Sequence, residues 1–593
     1  MSKWMVAAKR ADFQKLSEEF HISPVLARII RNRDVITKEE MQKFLYGTMD
    51  DLYAPDLLKD MDKAIAILMK KIAEGKKIRI IGDYDIDGVC STYILYKGLS
   101  YCGAVTDTAI PHRMKDGYGL NENLIWEAYE AGADTIVTCD NGIAASAQIE
   151  YANSLGMTVV ITDHHEVPYE EVAGKRLYRI PDAAAVVDPK QEESHYPFPE
   201  ICGAVVAYKV ILALTAKMQK KSWKEVMKSE LGLELMEFAA FATIGDVMEL
   251  RDENRIIVKS GLTLMKNTRN LGLKALMDAT GTEPENIKPY TIGFVLGPCL
   301  NATGRLDSAV SALELFQAKD RATAATIAGN LKEMNDSRKE LTLYGLEQAI
   351  AQVEEKGYEK DKVLVIYLPD VHESLAGIIA GRIREKYGKP AFVLTNGEEG
   401  VKGSGRSIEC FHMYDEMTKC KELFSKYGGH KLAAGLSLPE ENVDQFRNAL
   451  NANCTLTPED FEEKVLIDVP MPMEYVSLDF VKELDLLEPF GNGNPKPLFA
   501  QKQVRFLKGR ILGQNRNVGK YTVADEADRV YEMIYFGDIE ALNTYMRQKF
   551  GEQNVDALYY GRSHEIQMSV VYYPEINEFR GNVSVQMVMK YYQ

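Results

Sequence analysis

The chain has 593 residues, too many for one hydrophobic core, so we expect roughly two to four domains. Its 46% hydrophobic and 27% charged residues are typical of a globular protein, and the apolar runs fall short of the ~18 residues that a membrane span requires. The formal net charge of −16 argues against a protein that coats duplex DNA over its whole surface, although a locally basic channel stays compatible with it.

The N-terminus has no pattern of export. Residues 1–15 are polar and helical in character, without an apolar stretch after a basic start, so we predict no signal peptide. The eight cysteines are scattered and none forms a C-x-x-C pair, which predicts neither a zinc knuckle nor a disulfide framework. Because reduced thiols are typical of a reducing compartment, we expect a cytoplasmic protein that binds no membrane.

Helices come first in the predicted order of elements. Residues 1–70 have a helical pattern that Pro24 and Pro55 interrupt. From Lys76, short apolar runs alternate with longer amphipathic stretches, which is typical of a parallel α/β sheet. Three of these runs predict strands, at residues 77–81, 135–138 and 157–162.

An aspartate follows each of these three runs. Asp83, Asp140 and Asp163 each come within two residues of the end of a run. Open parallel sheets bind ligands at the carboxyl ends of their strands. Three strands that bring an acid to one edge therefore predict a functional site there.

The rest of the chain has a helical part, a second α/β pattern and a β-rich end. Residues 205–350 are mainly helical, and the second α/β pattern begins at Lys362. From about residue 456 the chain is rich in β-branched and aromatic residues with Gly and Asn turns. Residues 569–573 and 582–589 predict strands of a small barrel.

Three alternating aspartates, Asp83, Asp85 and Asp87, come directly after the first predicted strand. Their oxygens lie on one side of a tight loop, and hard cations such as Mg²⁺ and Mn²⁺ prefer oxygen ligands. The glycine that follows lets the backbone turn into a helix that we expect to begin near Ser91. An EF-hand would need glutamate at the twelfth position, where this chain has Ile94. A solvated acidic turn is the alternative for this loop alone.

Three further places carry acids or histidines. Asp140 ends the second run, where a lone aspartate is commonly a helix N-cap. Asp163, His164 and His165 end the third, and one imidazole can bind a metal while the other orients a phosphate or transfers a proton. Asp246 lies within an apolar helical stretch, where an unpaired acid is costly, and a helix-end carboxylate is the alternative. Acids and histidine from four places are what a two-metal site requires.

The order of these motifs resembles that of the DHH phosphoesterases. DYDIDG, DNG, DHH and GDV occur in the order found in that superfamily. The resemblance covers roughly residues 70–590 and continues in GPCLNATGR (297–305), HESLAGIIAGR (372–382), GSGRS (403–407), GGH (428–430) and LEPFGNGNP (487–495).

The resemblance implies a fold. We expect an α/β protein with a parallel-sheet DHH catalytic domain, a second α/β DHH-associated domain and a C-terminal OB-type β-barrel. The expected segments are an N-terminal helical segment (1–70), the DHH catalytic domain (71–265), a helical connector (266–355), the DHH-associated substrate-binding domain (356–455) and the OB-fold nucleic-acid-binding domain (456–593).

The resemblance also implies an activity. Relatives with these three domains are 5′→3′ exonucleases that digest single-stranded DNA to mononucleotides in DNA repair and recombination. The resemblance implies that the active site holds two metal ions, Mn²⁺ or Mg²⁺. Two alternatives stay open: a phosphodiesterase for short oligoribonucleotides or cyclic dinucleotides, and a non-catalytic replication scaffold. Single-stranded DNA is the expected partner, a single-strand-binding protein is a second one, and the expected state is a monomer.

The family motifs carry residue roles over to this chain. The implied metal ligands are Asp83, Asp85, Asp87, Asp140, His164 and Asp246. Asp163 and His165 would orient the site and contact phosphate, and with His164 they form the expected catalytic group. The chain departs from many relatives at three positions, where those have His, Arg and Trp: Ile81, Cys299 and Val371.

The second domain is expected to hold the 5′ end of the strand. Residues 403–407 offer backbone N–H groups, hydroxyls and a guanidinium, which suit a terminal phosphate. The candidate substrate-binding residues are Arg113, Arg305, His372, Ser404, Arg406, Gly429 and His430. A plain glycine-rich turn is the alternative for each, and the resemblance favours Ser404, Arg406 and His430.

A basic window predicts the strand-binding surface of the last domain. Residues 501–520 contain six basic residues and no acid. Phe506 and Tyr521 lie among or beside them, so we expect an OB-fold surface that binds a single strand by charge and stacking. A solvated β face is the alternative. The candidate nucleic-acid-binding residues are Lys502, Arg505, Lys508 and Arg510.

Overall fold

The computed structural model describes residues 2–112, 119–172, 175–306, 308–397, 400–513, 515–579 and 581–593. The strands in these residues are β1 (Lys3–Val6), β2 (Lys77–Ile81), β3 (Val105–Ala109), β4 (Thr135–Cys139), β5 (Thr158–Thr162), β6 (Tyr169–Val172), β7 (Lys175–Tyr178), β8 (Ala185–Val187), β9 (Leu364–Tyr367), β10 (Ala391–Gly397), β11 (Gly400–Arg406), β12 (Lys426–Gly429), β13 (Ala433–Leu438), β14 (Lys464–Ile467), β15 (Val469–Pro470), β16 (Phe499–Leu512), β17 (Val518–Ala524), β18 (Val530–Tyr535), β19 (Gln567–Phe579) and β20 (Asn582–Tyr592).

The helices in the same residues are α1 (Phe13–Phe20), α2 (Pro24–Asn32), α3 (Lys38–Tyr46), α4 (Met61–Ala73), α5 (Ile86–Tyr101), α6 (Glu122–Glu130), α7 (Ser146–Ser154), α8 (Gly203–Gln219), α9 (Trp223–Met227), α10 (Glu230–Gly245), α11 (Asp252–Met265), α12 (Leu271–Thr280), α13 (Pro289–Thr291), α14 (Gly297–Leu306), α15 (Val310–Gln317), α16 (Arg321–Glu355), α17 (Glu373–Tyr387), α18 (Met413–Thr418), α19 (Val443–Asn453), α20 (Leu478–Glu483), α21 (Ile539–Phe550) and α22 (Glu552–Tyr560). A π-helical turn (Ile292–Leu296) joins α13 to α14. None of the helices described is long and apolar enough to cross a lipid bilayer.

The first sheet is parallel throughout, with strand order β3-β2-β4-β5-β8. All five residues of β4 are buried, as expected for a central strand that is covered on both faces. Helix α5 packs against α8 and α10. This sheet confirms the predicted parallel α/β domain, and the predicted strand over residues 77–81 coincides with β2.

The second sheet is mixed, with strand order β12-β13-β11-β10-β9. Only β9 and β10 run parallel in it, and the other neighbours are antiparallel. Helix α17 packs on one face, whereas residues of α18 and α19 join the apolar cluster on the other. This arrangement confirms the second α/β domain.

The C-terminal sheet closes into a barrel. Strands β16, β17, β18, β20 and β19 pair in that order, and β19 pairs again with β16. Closure removes the unpaired edges that an open sheet would leave. The predicted OB-type barrel is therefore confirmed. The first element of the chain, however, is a strand, because β1 pairs with β14.

The chain folds into two compact units. Unit 1 comprises Met1–Asp51, Glu249–Arg255 and Glu463–Gln593, and unit 2 comprises Leu52–Met248 and Ile256–Glu462. The seven residues Glu249–Arg255, which we expected in the catalytic domain, thus fold with the barrel.

Arg255 holds this seven-residue segment within unit 1. Its guanidinium is buried and donates hydrogen bonds to the carbonyls of Phe44, Leu486 and Leu487 at 2.8–2.9 Å. The cation also stacks 3.9 Å from the centre of the Phe44 ring. Burial lowers the pKa of Arg255 to about 10, so the group stays charged at neutral pH.

Candidate metal centre

The carboxyl edge of the first sheet collects the predicted acids. Strands β2, β4 and β5 are parallel neighbours, so their ends meet at one edge. Asp83, Asp140 and Asp163 follow these ends, and all three are buried. Sheet topology alone therefore brings together residues that are 80 positions apart in the sequence.

The loop after β2 is shaped by its own carboxylates. Asp85 caps α5 and accepts hydrogen bonds from the backbone N–H groups of Asp87 (2.9 Å) and Gly88 (3.1 Å). A Cβ atom at Gly88 would lie 2.4 Å from the Asp83 carbonyl oxygen, so only glycine fits here. The helix thus begins at Ile86, and our expectation of a start near Ser91 was wrong by more than one turn.

The N-terminus of α8 fixes the third aspartate. Asp87 accepts hydrogen bonds from the backbone N–H groups of Gly203 (2.7 Å) and Ala204 (2.8 Å). These two amides belong to the N-terminus of the helix, and together they fix the position of the Asp87 carboxylate. A Cβ atom at Gly203 would lie 2.8 Å from the Asp140 Cβ, so glycine also allows the two acids to approach. The sequence reasoning missed these amides, because backbone donors carry no residue signature.

His164 lies at the centre of the cluster. Its Nε2 is 3.1 Å from Asp140 Oδ1, 3.5 Å from Asp87 Oδ2 and 3.9 Å from Asp246 Oδ2. Burial lowers the pKa of His164, which favours the neutral imidazole that binds metals. Asp246 directly follows the end of α10 at Gly245; it does not lie inside the helix as we had predicted.

Asp163 and His165 form a pair beside this centre. The Asp163 Oδ1 lies 2.7 Å from His165 Nδ1, and its carboxylate accepts hydrogen bonds from the backbone N–H groups of Ile143 (2.9 Å) and His164 (2.8 Å). Burial alone would raise the pKa of Asp163, but the hydrogen bond and charge of His165 lower it. Burial works against protonation of His165 too, yet the bond to Asp163 raises its pKa to about 9. The pair is therefore ionic at neutral pH.

The remaining acids carry too much charge for their surroundings. Burial, and then the neighbouring carboxylates, raise the pKa of Asp83 to about 7 and that of Asp246 to about 8. The same two causes raise the pKa of Asp85 and of Asp140. A divalent cation would supply the charge that lets all four ionise.

Buried atoms without partners fit a bound cation as well. Asp83 Oδ2 and His164 Nδ1 are buried and have no hydrogen-bond partner among the described residues. Ligand atoms lie within 4.8 Å of one another in three groups: Asp83, Asp85 and Asp140; Asp87, His164 and Asp246; and Asp140, His164 and His165. Asp140 occurs in two groups, as a carboxylate shared by two ions would.

A fourth strand brings an acid that the sequence reasoning missed. Asp188 directly follows β8, the neighbour of β5, and is fully buried. Burial, and then the charge of Asp163, raise its pKa to about 7. The signal was present, since an apolar run at residues 183–187 precedes Asp188 as one precedes Asp163, but the run is rich in alanine and Pro189 follows Asp188, which predicts a turn.

The predicted phosphate-binding residues lie mostly on the second sheet. Ser404 of β11 pairs with Gly435 of β13, which pairs in turn with Gly428 of β12, and Arg406 is two residues along β11. Gly429 ends β12 and His430 follows it. A cavity of about 400 Å³ adjoins Ser404 and Gly428, and its lining includes two lysines that we had not predicted, Lys402 and Lys426.

His372 and Arg406 both lie at α17, whereas Arg113 and the Arg305 side chain are not among the described parts of the chain. His372 caps α17 and accepts a hydrogen bond from the Ser374 N–H. Arg406 lies over the same helix, where a Cβ at Gly377 would be 2.9 Å from its Nη2. Arg113 lies outside the described residues, as does the side chain of Arg305.

The basic window of the barrel is only partly a free surface. Lys502, Lys508 and Arg510 are exposed on β16. Arg505 instead pairs with Asp528 and donates to the Asp525 carbonyl at 3.1 Å. The window therefore offers three exposed cations on β16 itself.

Our expectation that Phe506 and Tyr521 stack on bases was wrong. Phe506 and Tyr521 are 1% and 0% exposed, and their rings pack edge to face, 5.4 Å apart, in the barrel core. Irregularities in β16 at Gln501–Val504 and Phe506–Lys508 shift the alternation of inward and outward side chains. Neither ring can stack on a base.

Three protein-family models match the chain in order. The DHH family N-terminal domain matches residues 77–239, the DHHA1 domain matches residues 360–455 and the RecJ OB domain matches residues 467–591.

Relatives and solved structures agree with these matches. The chain is 34% identical to the single-stranded-DNA-specific exonuclease RecJ of Bacillus subtilis, with 89% of this chain and 65% of that protein covered. It is 30% identical to the exonuclease of the same name from Salmonella typhimurium, with 96% and 95% covered. The crystal structure of RecJ from Thermus thermophilus in complex with Mn²⁺ is similar with a TM-score of 0.79 and 26% identity, over 100% of this chain and 79% of that one. The chain thus spans 65% of the length of the first relative and nearly all of the second.

Proposed function

The chain belongs to the RecJ family, and we propose that it is a metal-dependent 5′→3′ exonuclease that degrades single-stranded DNA to mononucleotides. The convergence of five aspartates and His164 at one sheet edge carries this proposal. It occurs in a chain 30% identical to a single-stranded-DNA-specific exonuclease along 95% of that protein's length. We further propose that the activity serves DNA repair and recombination.

Two ions, Mn²⁺ or Mg²⁺, are the proposed cofactor. The ligands would be Asp83, Asp85, Asp87, Asp140, His164 and Asp246. When bound, the ions supply activation of the attacking water and stabilisation of the charge that develops on the scissile phosphate. Buried carboxylates with raised pKa values and partnerless buried atoms support this assignment.

Asp163 and His165 would act together beside the ions. The Asp163 carboxylate holds the His165 ring through Nδ1, which orients the protonated imidazole. A cation fixed in this way can donate a hydrogen bond to a non-bridging phosphate oxygen or deliver a proton to the leaving oxygen. Asp163 would stay ionised and hold the ring without itself binding metal.

The second sheet would hold the 5′ end of the strand. A hydroxyl from Ser404, the guanidinium of Arg406 and the glycine backbone at Gly429 supply charge-assisted and backbone donors for a terminal phosphate. His372, His430, Arg113 and Arg305 are proposed to line the same path. On the barrel, Lys502, Lys508 and Arg510 would follow the backbone of the strand by charge.

We also propose that the protein acts in the cytoplasm as a monomer. None of the eight cysteines, all of which lie in the described residues, forms a disulfide, which supports a reducing compartment. One chain supplies every proposed metal ligand, so that a second copy is not needed to complete the site. A single-strand-binding protein is a proposed partner, because it would occupy the same DNA.

A single-stranded oligonucleotide with a 5′-phosphate and a 3′ fluorophore tests the function. With Mn²⁺, we expect progressive shortening from the 5′ end on a denaturing gel and an intact blunt duplex control. An undegraded single strand would overturn the proposal. Arg406→Ala should lower the preference for 5′-phosphorylated over 5′-hydroxyl ends by about 10- to 100-fold, because one charge-assisted contact is lost. Equal loss on both ends would remove Arg406 from the phosphate site, and Arg382→Ala is the matched control.

A further inference from the structure

Two aromatic side chains of unit 2 form a stack on its surface. Tyr290 is 68% exposed and Phe294 is 65% exposed. Their ring centres are 4.8 Å apart, with 24° between the ring planes. Such large apolar groups are usually buried, and two that stack against each other in solvent present a flat apolar surface.

This aromatic pair belongs to a continuous helical segment that borders the metal centre. The segment runs from α13 through the π-helical turn into α14, and two of its glycines face side chains of α5 and α10 at the ends of these helices that adjoin the proposed ligands. A Cβ atom at Gly297 would lie 3.0 Å from Ile86 Cδ1, between Asp85 and Asp87 in the sequence. One at Gly293 would lie 4.0 Å from Ile244 Cγ2, two residues before Asp246.

The spacing of the segment sets the aromatic pair beside this contact. Phe294 directly follows Gly293, and Tyr290 is one helical turn before Phe294. Residues four apart lie on one face of a helix, and that face neighbours the one on which the glycines meet α5 and α10. The stacked rings therefore flank the helix face that packs on Ile86 and Ile244, the residues that adjoin the proposed ligands Asp85, Asp87 and Asp246.

We propose that Tyr290 and Phe294 form a stacking platform for a nucleobase of the bound single strand, next to the scissile phosphate. This inference rests on the proposed function. Base–aromatic stacking suits all four bases, since each has a flat π face, and a nuclease that digests any sequence needs such tolerance. A base inside a duplex is stacked between neighbouring base pairs and does not offer its face, so the platform also favours a single strand.

The proposal accounts for a role that the barrel does not fill. Phe506 and Tyr521, which we expected to stack on bases, are buried in the barrel core. The pair at 290 and 294 offers the exposed, preformed surface that this role requires, and it borders the proposed site of chemistry.

An abasic position scanned along the oligonucleotide tests the platform. Ca²⁺ replaces Mn²⁺ to limit cleavage, and the affinity is measured by fluorescence anisotropy for wild type, Tyr290→Ala/Phe294→Ala and Phe294→Trp. At one or two positions near the 5′ end, we expect the abasic site to weaken wild-type binding by roughly 5- to 100-fold, the range that loss of one stacked base gives. The double variant should show the same weakening on the intact strand and no further loss on the abasic one. Phe294→Trp, which keeps both rings, should bind the intact strand as tightly as wild type.

Tyr101→Ala is the matched control. Tyr101 is 57% exposed and ends α5, the helix whose other end carries Asp85 and Asp87. It should bind like wild type. A double variant that loses the same factor on abasic and intact strands at every position, or that binds both like wild type, overturns the platform while leaving the exonuclease proposal intact. Failure of wild type to bind and cleave the intact strand overturns both.

Discussion

The acid edge of the first sheet and the basic strand of the barrel were both predicted from short sequence windows, with different outcomes. At the sheet edge, the predicted acids converge within a few ångströms of His164. In the barrel, the aromatic side chains of Phe506 on β16 and Tyr521 on β17 point inward, and one of the four proposed cations pairs with an acid of its own domain. The convergence of the acids depends only on which strands are neighbours, whereas the side chains exposed on the barrel depend on the register of each strand. A one-residue irregularity leaves the order of strands unchanged, but it moves the following side chains of that strand to the opposite face.

Removing a ligand is the largest test of the convergent edge. Asp85→Ala or His164→Ala should lower kcat by at least about 1,000-fold, because metal-assisted stabilisation of the transition state amounts to several kcal/mol. The metal-free fold should be as stable as wild type or more so, since a crowded carboxylate or a buried ring nitrogen is removed. Cleavage assays and circular dichroism in EDTA measure the two effects.

Asp62→Ala, which removes an exposed acid of α4, is the matched control and should change neither quantity. A ligand variant that is inactive because it has unfolded would instead assign these acids a structural role.

Phe506→Ala sharpens the contrast from the side of the barrel. Because the ring is buried in the barrel core, its removal should lower the free energy of unfolding of unit 1 by about 3–5 kcal/mol. Denaturant titration measures the loss. The neighbouring Leu507→Ala, at a position 39% exposed, should cost less than about 1 kcal/mol. If Phe506→Ala instead weakened DNA binding and left the stability unchanged, the ring would be exposed and in contact with DNA.

The charge of the acid edge predicts an unusual pH dependence of the metal-free protein. Folded Asp83 and Asp246 have pKa values of about 7 and about 8, above the ordinary value of 3.8. Between these limits the folded chain holds protons that the unfolded chain lacks, so stability is greatest below about pH 4 for these groups and falls as pH rises towards 8. Mn²⁺ should cancel the fall, because ion binding requires the ionised forms.

Thermal unfolding of unit 2 in EDTA and in Mn²⁺, from pH 5 to 8.5, measures this effect. We expect the two midpoints to diverge as pH rises. Parallel profiles would mean that these carboxyls do not share a metal site.

The smallest expected effects separate the cations of β16. Lys508→Ala and Arg510→Ala should each weaken binding of a single strand by roughly three- to fivefold. Each should also lower the slope of log affinity against log salt by about 0.7, the value for one phosphate contact. Arg505→Ala should leave the slope unchanged, because Asp528 already neutralises that guanidinium. Fluorescence anisotropy at several salt concentrations distinguishes the three variants. If all three keep the wild-type slope, the basic window is a plain solvated face.

Most of the fold, and much of the candidate site, could be predicted from the sequence. Aspartates directly after predicted parallel strands, together with two adjacent histidines, indicate a ligand site at one sheet edge. The strand β2 also occurs where its apolar run predicted it. The N–H donors of Gly203 and Ala204 could not be found, because any residue has a backbone amide. Asp188 escaped because the run before it is rich in alanine and Pro189 follows it. Burial of Phe506 depends on irregularities in β16 that no local pattern marks.

The segment Glu249–Arg255 has a genetic consequence. Because this segment folds with the barrel in unit 1, and the residues on either side of it belong to unit 2, the chain passes between the two units four times. Neither unit corresponds to one uninterrupted stretch of gene, and a single recombination breakpoint cannot transfer one of them whole. A chain that ended at residue 462 would keep Arg255 but lose the carbonyls of Leu486 and Leu487, and would have to accommodate a cation whose burial they support. Such an arrangement favours inheritance of the nuclease and its barrel as one piece.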